Sequence, residues 1–253
     1  MKPLEWLRFL LRITGIGLVT ALLHSVIRVR QLLRLERGRP VDIVGLWGKW
    51  MCRIMGIRVH FRNERKGRSG AILVANHMGF LDIPVLLSIF PGVFIIKAEL
   101  GRLPLAGRAL RHEQHIFVDR DNPASRKQAG DALASAVRDG DPVIVFPEGR
   151  GTTGAKRLPF KPYSFILAAE LGKTLEVVLI DYLPDRQAAA WDSSRPMFPQ
   201  FAALLGQKRH HVGIEFLASY IPENPREEAD HFRAEIEQRL QRYTGETWGV
   251  TAP

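Results

Sequence analysis

The 253-residue chain has one cysteine, Cys52. No internal disulfide framework is possible, and nothing in the composition requires an oxidising compartment. Acidic residues are scarce at the amino-terminal end: residues 1–70 hold 4 Asp and Glu against 15 Lys and Arg, while residues 71–253 hold 22 against 21. The formal charge of +10 therefore belongs wholly to the first quarter of the chain. That placement argues against a nucleic-acid-binding domain spread through the protein and for a basic module joined to a near-neutral one. Internal repeats and low-complexity tracts are lacking, and a composition 46% hydrophobic and 25% charged excludes a disordered or fibrous chain.

Several chemical signatures are also missing. Gly149 and Gly154 have the spacing of half a phosphate-binding P-loop, but Ala155 stands where that loop needs lysine, and Lys156-Arg157 follows. His112-Glu113-Gln114-His115 has the wrong spacing for a two-histidine zinc site on a helix. There is no G-x-S-x-G nucleophile elbow, and the pair His210-His211 reads as the start of a strand.

Residues 13–27 form a 15-residue run without a formally charged side chain. As a helix it spans about 22 Å, short of a ~30 Å hydrocarbon core. Arg8 and Arg12 flank it on one side, Arg28 and Arg30 on the other, and Trp6 stands at the edge, as suits a membrane interface. No small-residue cleavage site follows, which argues against a removed signal peptide. A second apolar segment, residues 41–57, carries Trp47 and Trp50 but is broken by Lys49 and Arg53. A buried pair of core helices would explain neither the arginines nor the tryptophans. Residues 1–55 thus read as a basic, apolar helical membrane anchor, either interfacial or just spanning, whose partner is an anionic membrane surface.

Residues 56–253 alternate strands with helices. Strands are expected at 56–62, 71–75, 93–96, 116–118, 143–146, 177–182 and 211–217, and a basic, glycine-containing turn at 63–70. Helices are expected at 83–90, 123–138, 164–172 and 225–243. This order predicts an α/β domain whose largely parallel sheet is covered by helices on both faces.

Open parallel sheets bind ligands at the carboxyl ends of their strands. There lies Asn76-His77-Met78-Gly79-Phe80-Leu81-Asp82. Asp82 can cap the following helix; it can also fold back so that its carboxylate fixes one imidazole nitrogen and leaves the other basic, the geometry of a general base. After a later strand comes Phe146-Pro147-Glu148-Gly149-Arg150-Gly151, a loop whose amides and arginine could hold an anion. Lys161 adds charge nearby, and Phe117-Val118-Asp119-Arg120 places another arginine at a strand end.

Together NHMGFLD (76–82), FVDR (117–120) and FPEGR (146–150) resemble the glycerolipid acyltransferases of the lysophosphatidic acid acyltransferase family. That family's order is NHxxxxD, an arginine motif, then FPEGTRS. Lys97-Ala98-Glu99-Leu100, followed by Pro104 and Gly107, is similar to its K-x-E-L segment. The resemblance spans residues 56–220. Departures fall in the acceptor-phosphate region: Gln114 stands for a glycine, Arg150 and Gly151 for the Thr-Arg of the third motif, Pro162 and Tyr163 for the end of F-K-x-G, and Glu176-Val177-Val178-Leu179 lacks the usual proline.

The resemblance implies a glycerol-3-phosphate acyltransferase-like fold and a membrane-associated O-acyltransferase. It would move a fatty acyl group from an acyl-CoA or acyl carrier protein thioester, as co-substrate and with no other cofactor or metal, to the free hydroxyl of a lysolipid. The first acceptor is 1-acyl-sn-glycerol-3-phosphate, giving phosphatidate; the alternative is lyso-ornithine lipid, which carries no phosphate. In this reading His77 and Asp82 are catalytic. Arg120, Arg150, Glu148, Gly149, Lys97 and Lys161 bind substrate, the arginines holding the anionic head group and Glu148 positioning the glycerol or bracing the loop. The catalytic domain would lie on the cytoplasmic face of the membrane, with no nucleic-acid partner. A non-catalytic lipid-binding protein on the same fold is the alternative of another class.

Overall fold

In a computed structural model the described residues are 2–35, 40–64, 71–102, 107, 110–111, 115–151, 158–183, 186, 190–192 and 194–244. The readings placed on Arg65–Gly70, Pro104, His112–Gln114 and Thr152–Arg157 lie outside them.

Two helices open the chain, α1 (Pro3–Leu32) and α2 (Val41–Met55). Strands and helices then alternate: β1 (Ile57–Phe61), β2 (Ile72–Ala75), α3 (Asp82–Ile89), β3 (Val93–Lys97), a 3₁₀ turn (Ala98–Arg102), β4 (Ile116–Val118), α4 (Pro123–Arg138), β5 (Val143–Val145), α5 (Tyr163–Glu170), β6 (Leu175–Leu183), α6 (Met197–Gly206), β7 (His210–Tyr220) and α7 (Pro225–Arg242). The strands form one seven-stranded sheet in the order β1-β7-β6-β2-β5-β3-β4. All neighbours are parallel except β6 and β7, which run antiparallel with a bulge between Val177 and Val178. The sheet is thus the expected mixed α/β sheet with mostly parallel strands.

Continuous apolar runs are the mark of strands buried on both faces. Every residue of β2, β5 and β6 is buried. Alternation sends Leu73 and Ala75 to one face, with α2, α3 and α6, and Ile72 and Val74 to the other, with α4, α5 and α7. Local chemistry sets the boundaries. Asn122 Oδ1 accepts the main-chain N–H groups of Ala124 (2.9 Å) and Ser125 (3.3 Å), capping α4 ahead of Pro123. Gly56 ends α2 at φ +74°, where an added Cβ would lie 3.0 Å from the Lys208 carbonyl oxygen.

Three readings are corrected. The apolar run of 13–27 is only the middle of α1, which has 30 residues and extends about 45 Å. Its most apolar 18-residue window has mean hydropathy 1.8 and is 11% buried, so it is long and apolar enough to cross a membrane. Arg12 is not a solvent-facing flank of that run: its guanidinium donates to the main-chain carbonyls of Leu205 (2.9 Å), Lys208 (2.9 Å) and Gln207, closing the carboxyl end of α6. Arg30 pairs with Asp42 at 2.8 Å, and Trp47 Nε1 donates to Thr20 Oγ1 at 3.0 Å, so α1 is tied to α2 as well. Finally, α6 and the 3₁₀ turn were not expected; each is short, and Pro199 interrupts the helical pattern of α6.

His210, at the junction of α6 and β7, is buried; its Nε2 is 2.9 Å from the Leu204 carbonyl oxygen. Burial first, then the charges of Arg12 and His211, lower it from 6.5 to about 4, with the Leu204 bond opposing. The unfolded chain binds this proton below about pH 6.5 and the folded chain does not until about pH 4. Stability is therefore undiminished by this group above pH 6.5 and falls as pH drops through that window, by about 3 kcal/mol in all. Denaturant unfolding between pH 7 and 4 should show this slope, and His210→Gln should flatten it.

Candidate active site

The site begins where β2 ends. Asn76 is buried, and its side-chain amide replaces the next rung of the sheet: Nδ2 donates to the Ile180 carbonyl at 3.0 Å and Oδ1 accepts the Ile180 N–H at 2.8 Å. An asparagine supplies both a donor and an acceptor, so β6 stays satisfied while the main chain turns away toward His77.

His77 Nδ1 is 2.7 Å from Asp82 Oδ2. The same oxygen accepts the main-chain N–H groups of Met78 (2.7 Å) and Gly79 (3.0 Å), and Asp82 Oδ1 accepts the Tyr182 hydroxyl at 2.5 Å. Asp82 is the first residue of α3 and makes no side-chain cap for it. Its carboxylate turns back over the loop instead, which corrects the capping reading. Burial raises the Tyr182 phenol well above its ordinary value, and the Asp82 charge adds to this, so the phenol remains a donor.

The imidazole stacks on Phe146 (4.1 Å between centroids, 14° between planes), which stacks in turn on Phe94 (5.5 Å, 25°). Among the described residues no group hydrogen-bonds to His77 Nε2. The face near that nitrogen is lined by Gly151 and Trp191: a Cβ added to Gly151 would lie 3.6 Å from Nε2 and 3.5 Å from Trp191 Cδ1. Trp191 is held by its main-chain N–H, which donates to the Met78 main-chain carbonyl at 2.7 Å, and Phe80 meets its ring edge-on at 5.0 Å. Phe80 also meets Phe201 of α6 at 5.2 Å, so an aromatic wall runs from the imidazole toward the helix that Arg12 anchors.

Glu148 is buried: Oε1 accepts the His77 N–H at 3.1 Å and Oε2 accepts the Leu158 N–H at 3.4 Å. It braces the loop against β2. Gly149 has φ +75°, a turn that disfavours any side chain, and an added Cβ would lie 3.1 Å from Lys161 Nζ. Beside this loop the cations gather. Lys97 pairs with Glu99 at 3.0 Å. Arg120 is lowered chiefly by its burial and further by the charge of Arg150, with Glu99 opposing. Lys97, Glu99, Arg120 and Arg150 therefore share one electrostatic neighbourhood. The structure thus brings together His77, Asp82 and Glu148 in one hydrogen-bonded unit and Lys97, Arg120 and Arg150 in a second group, with Lys161 over Gly149. Among the described residues, no three His, Cys, Asp or Glu side chains converge to hold a metal.

Residues 56–181 match the family model described as "Acyltransferase". The lyso-ornithine lipid O-acyltransferase of Pseudomonas aeruginosa is 30% identical over 175 residues, covering 68% of this chain and 67% of that protein. The chain belongs to the acyltransferase family. The lyso-ornithine lipid O-acyltransferase of Rhizobium meliloti is 25% identical over 70% of each chain, and the 1-acyl-sn-glycerol-3-phosphate acyltransferase of Neisseria gonorrhoeae 29% identical over 45% of each. The crystal structure of the acyltransferase PlsC from Thermotoga maritima superposes with a TM-score of 0.60 at 20% identity, covering 96% of this chain and 100% of that one, so the fold is shared. This chain is an O-acyltransferase.

In this acyltransferase, sequence reasoning missed Tyr182, Trp191 and the ladder role of Asn76. Asn76 heads the NHMGFLD segment and could have been singled out as a polar residue ending an apolar strand. Nothing in the sequence connects Tyr182 or Trp191 to residues a hundred positions earlier. Asn76→Ala should leave the N–H and C=O of Ile180 unpaired in the interior and destabilise this acyltransferase by about 2–4 kcal/mol, measured by thermal or denaturant unfolding.

Proposed function

We propose that the protein acylates the free hydroxyl of a membrane lysolipid, with His77 as general base. The observation that supports this most is the pairing of His77 Nδ1 with buried Asp82 at 2.7 Å, which leaves Nε2 as the lone-pair nitrogen. Nε2 removes the acceptor's hydroxyl proton as the oxygen attacks the thioester carbonyl. The tetrahedral intermediate expels the thiolate, and the imidazolium returns the proton to the leaving sulfur. Transfer is direct, with no acyl-enzyme. Cys52 supports no such intermediate: burial raises its thiol to about 11, and Sγ donates to the Pro84 carbonyl at 3.5 Å. The donor is an acyl-CoA or acyl carrier protein thioester, and no further cofactor or metal takes part.

Lys97, Arg120 and Arg150, with Lys161, bind the acceptor's anionic group. In the first reading it is the phosphate of 1-acyl-sn-glycerol-3-phosphate, and the product is phosphatidate. A second reading, lyso-ornithine lipid, is favoured by the longer match to relatives bearing that name and by Arg150-Gly151 in place of Thr-Arg. There the cations would hold a carboxylate.

Residues 1–55 form the membrane anchor. Leu4, Leu7, Leu11, Leu18 and Leu22 of α1 are each more than half exposed, and the basic excess of this region attracts anionic lipid at about 1 kcal/mol per nearby cation. The catalytic domain, residues 56–253, works on the cytoplasmic face, with no nucleic-acid partner.

His77→Ala should lower turnover by at least ~10²–10⁴-fold with the fold intact by circular dichroism; near-wild-type thiol release would refute the mechanism. Arg120→Ala and Arg150→Ala should each raise KM for the acceptor about tenfold or more. Thiol release measured in parallel with lysophosphatidate and lyso-ornithine lipid separates the two acceptors, since transfer to only one of them rejects the other reading.

A further inference from the structure

Asp82 is held on both oxygens. Oδ2 faces the imidazole and two main-chain N–H groups, whereas Oδ1 is given to the Tyr182 hydroxyl at 2.5 Å. Tyr182 reaches it from β6, 100 positions along the chain, and both side chains are buried. A phenol carries its hydroxyl at the tip of a rigid ring, and filling this site with an apolar group would satisfy packing equally well. The hydroxyl therefore has a job that packing does not account for.

We infer that Tyr182 is a positioning residue that acts on His77 through Asp82: by drawing charge onto Oδ1 it weakens the pull that the carboxylate exerts on the imidazole through Oδ2. The inference rests on the reading of His77 as base. Its sign follows from electrostatics. Losing a donor leaves more charge on the carboxylate, which favours the protonated imidazole it faces. Among the described residues, the other titratable or charged groups on the elements around the pair are Glu148, which accepts the His77 N–H, with Arg150 on the same loop and Lys161 over Gly149; Cys52, which reaches α3 from α2; and, at the neighbouring strand ends, Lys97, Glu99 and Arg120. All are common to wild type and variant, so a difference between two pH profiles isolates the phenol.

The test is kcat/KM against pH for the full chain, using oleoyl-CoA and oleoyl-acyl carrier protein as donors and lysophosphatidate and lyso-ornithine lipid as acceptors. Tyr182→Phe should move the acid limb upward by about half to one pH unit and lower the plateau by about two- to tenfold. Site-specific 3-fluorotyrosine at position 182, a stronger donor, should move the limb downward. A merely structural role would reduce the unfolding temperature without moving the limb in opposite directions. If the limb stays in place for both proteins, or moves the same way in both, the inference is overturned. If Tyr182→Phe does not fold, the fluorotyrosine protein decides alone. His77→Ala is run alongside: its inactivity with an unmoved limb defeats only the role of Tyr182, whereas its retained activity defeats the base itself.

Discussion

The buried carboxylate of Asp82 is the point on which the site depends. A carboxylate removed from water costs several kcal/mol, and here four donors offset that cost: His77, the main-chain N–H groups of Met78 and Gly79, and Tyr182. The four donors serve three structural constraints. The loop amides fix the turn after β2, the phenol links α3 to β6, and the imidazole is turned so that its second nitrogen lies beside Gly151. Satisfying one buried carboxylate thus determines the loop, the helix start and the orientation of the imidazole together. The amino terminus of α3 adds a favourable field at the same place.

Around this centre the molecule separates its polar and apolar tasks. Glu148 works inward, holding the loop after β5 against the His77 main chain, while Lys97, Arg120 and Arg150 lie outward with Glu99 among them. The aromatic side chains Phe80, Trp191 and Phe201 lead instead toward α6. That helix is tied to α1 by Arg12, whose bonds to three carbonyls secure the long apolar helix to the sheet domain.

Much of this is legible in the amino-acid order because it is local. Apolar runs such as 72–75 and 143–145 identify strands buried on both faces, and the alternation of strands with helices dictates a mostly parallel sheet. His77 and Asp82 are five residues apart, close enough for one loop to join them, and the arginine and FPEGR segments stand at strand ends. The basic first quarter is likewise visible from charge counting alone. Where local reading fails, a competing long-range partner explains it. Asp82 could have capped its helix, but the histidine and tyrosine offered better partners. Arg12 could have faced solvent, but the carbonyl end of α6 lay beside it. The short helix 197–206, with its internal proline, has too weak a local pattern to be read before packing is known.

The sequence by itself determined the fold class, the histidine–aspartate pair, the candidate anion-binding arginines and the separation of a basic apolar end from a near-neutral domain. The pair and the arginines are encoded in single strand-end loops, and the fold class and the basic end in the order of elements and charges along the chain. Only the tertiary structure decided that Tyr182 completes the aspartate, that Asn76 serves as a rung of β6, that Glu148 works as a brace and that Trp191 comes to lie beside Gly151 near the imidazole. These depend on strand order and register, which place β6 beside β2 although roughly a hundred residues separate them. The sheet is assembled by burial of apolar faces, and no single segment contains the information about which strand becomes its neighbour.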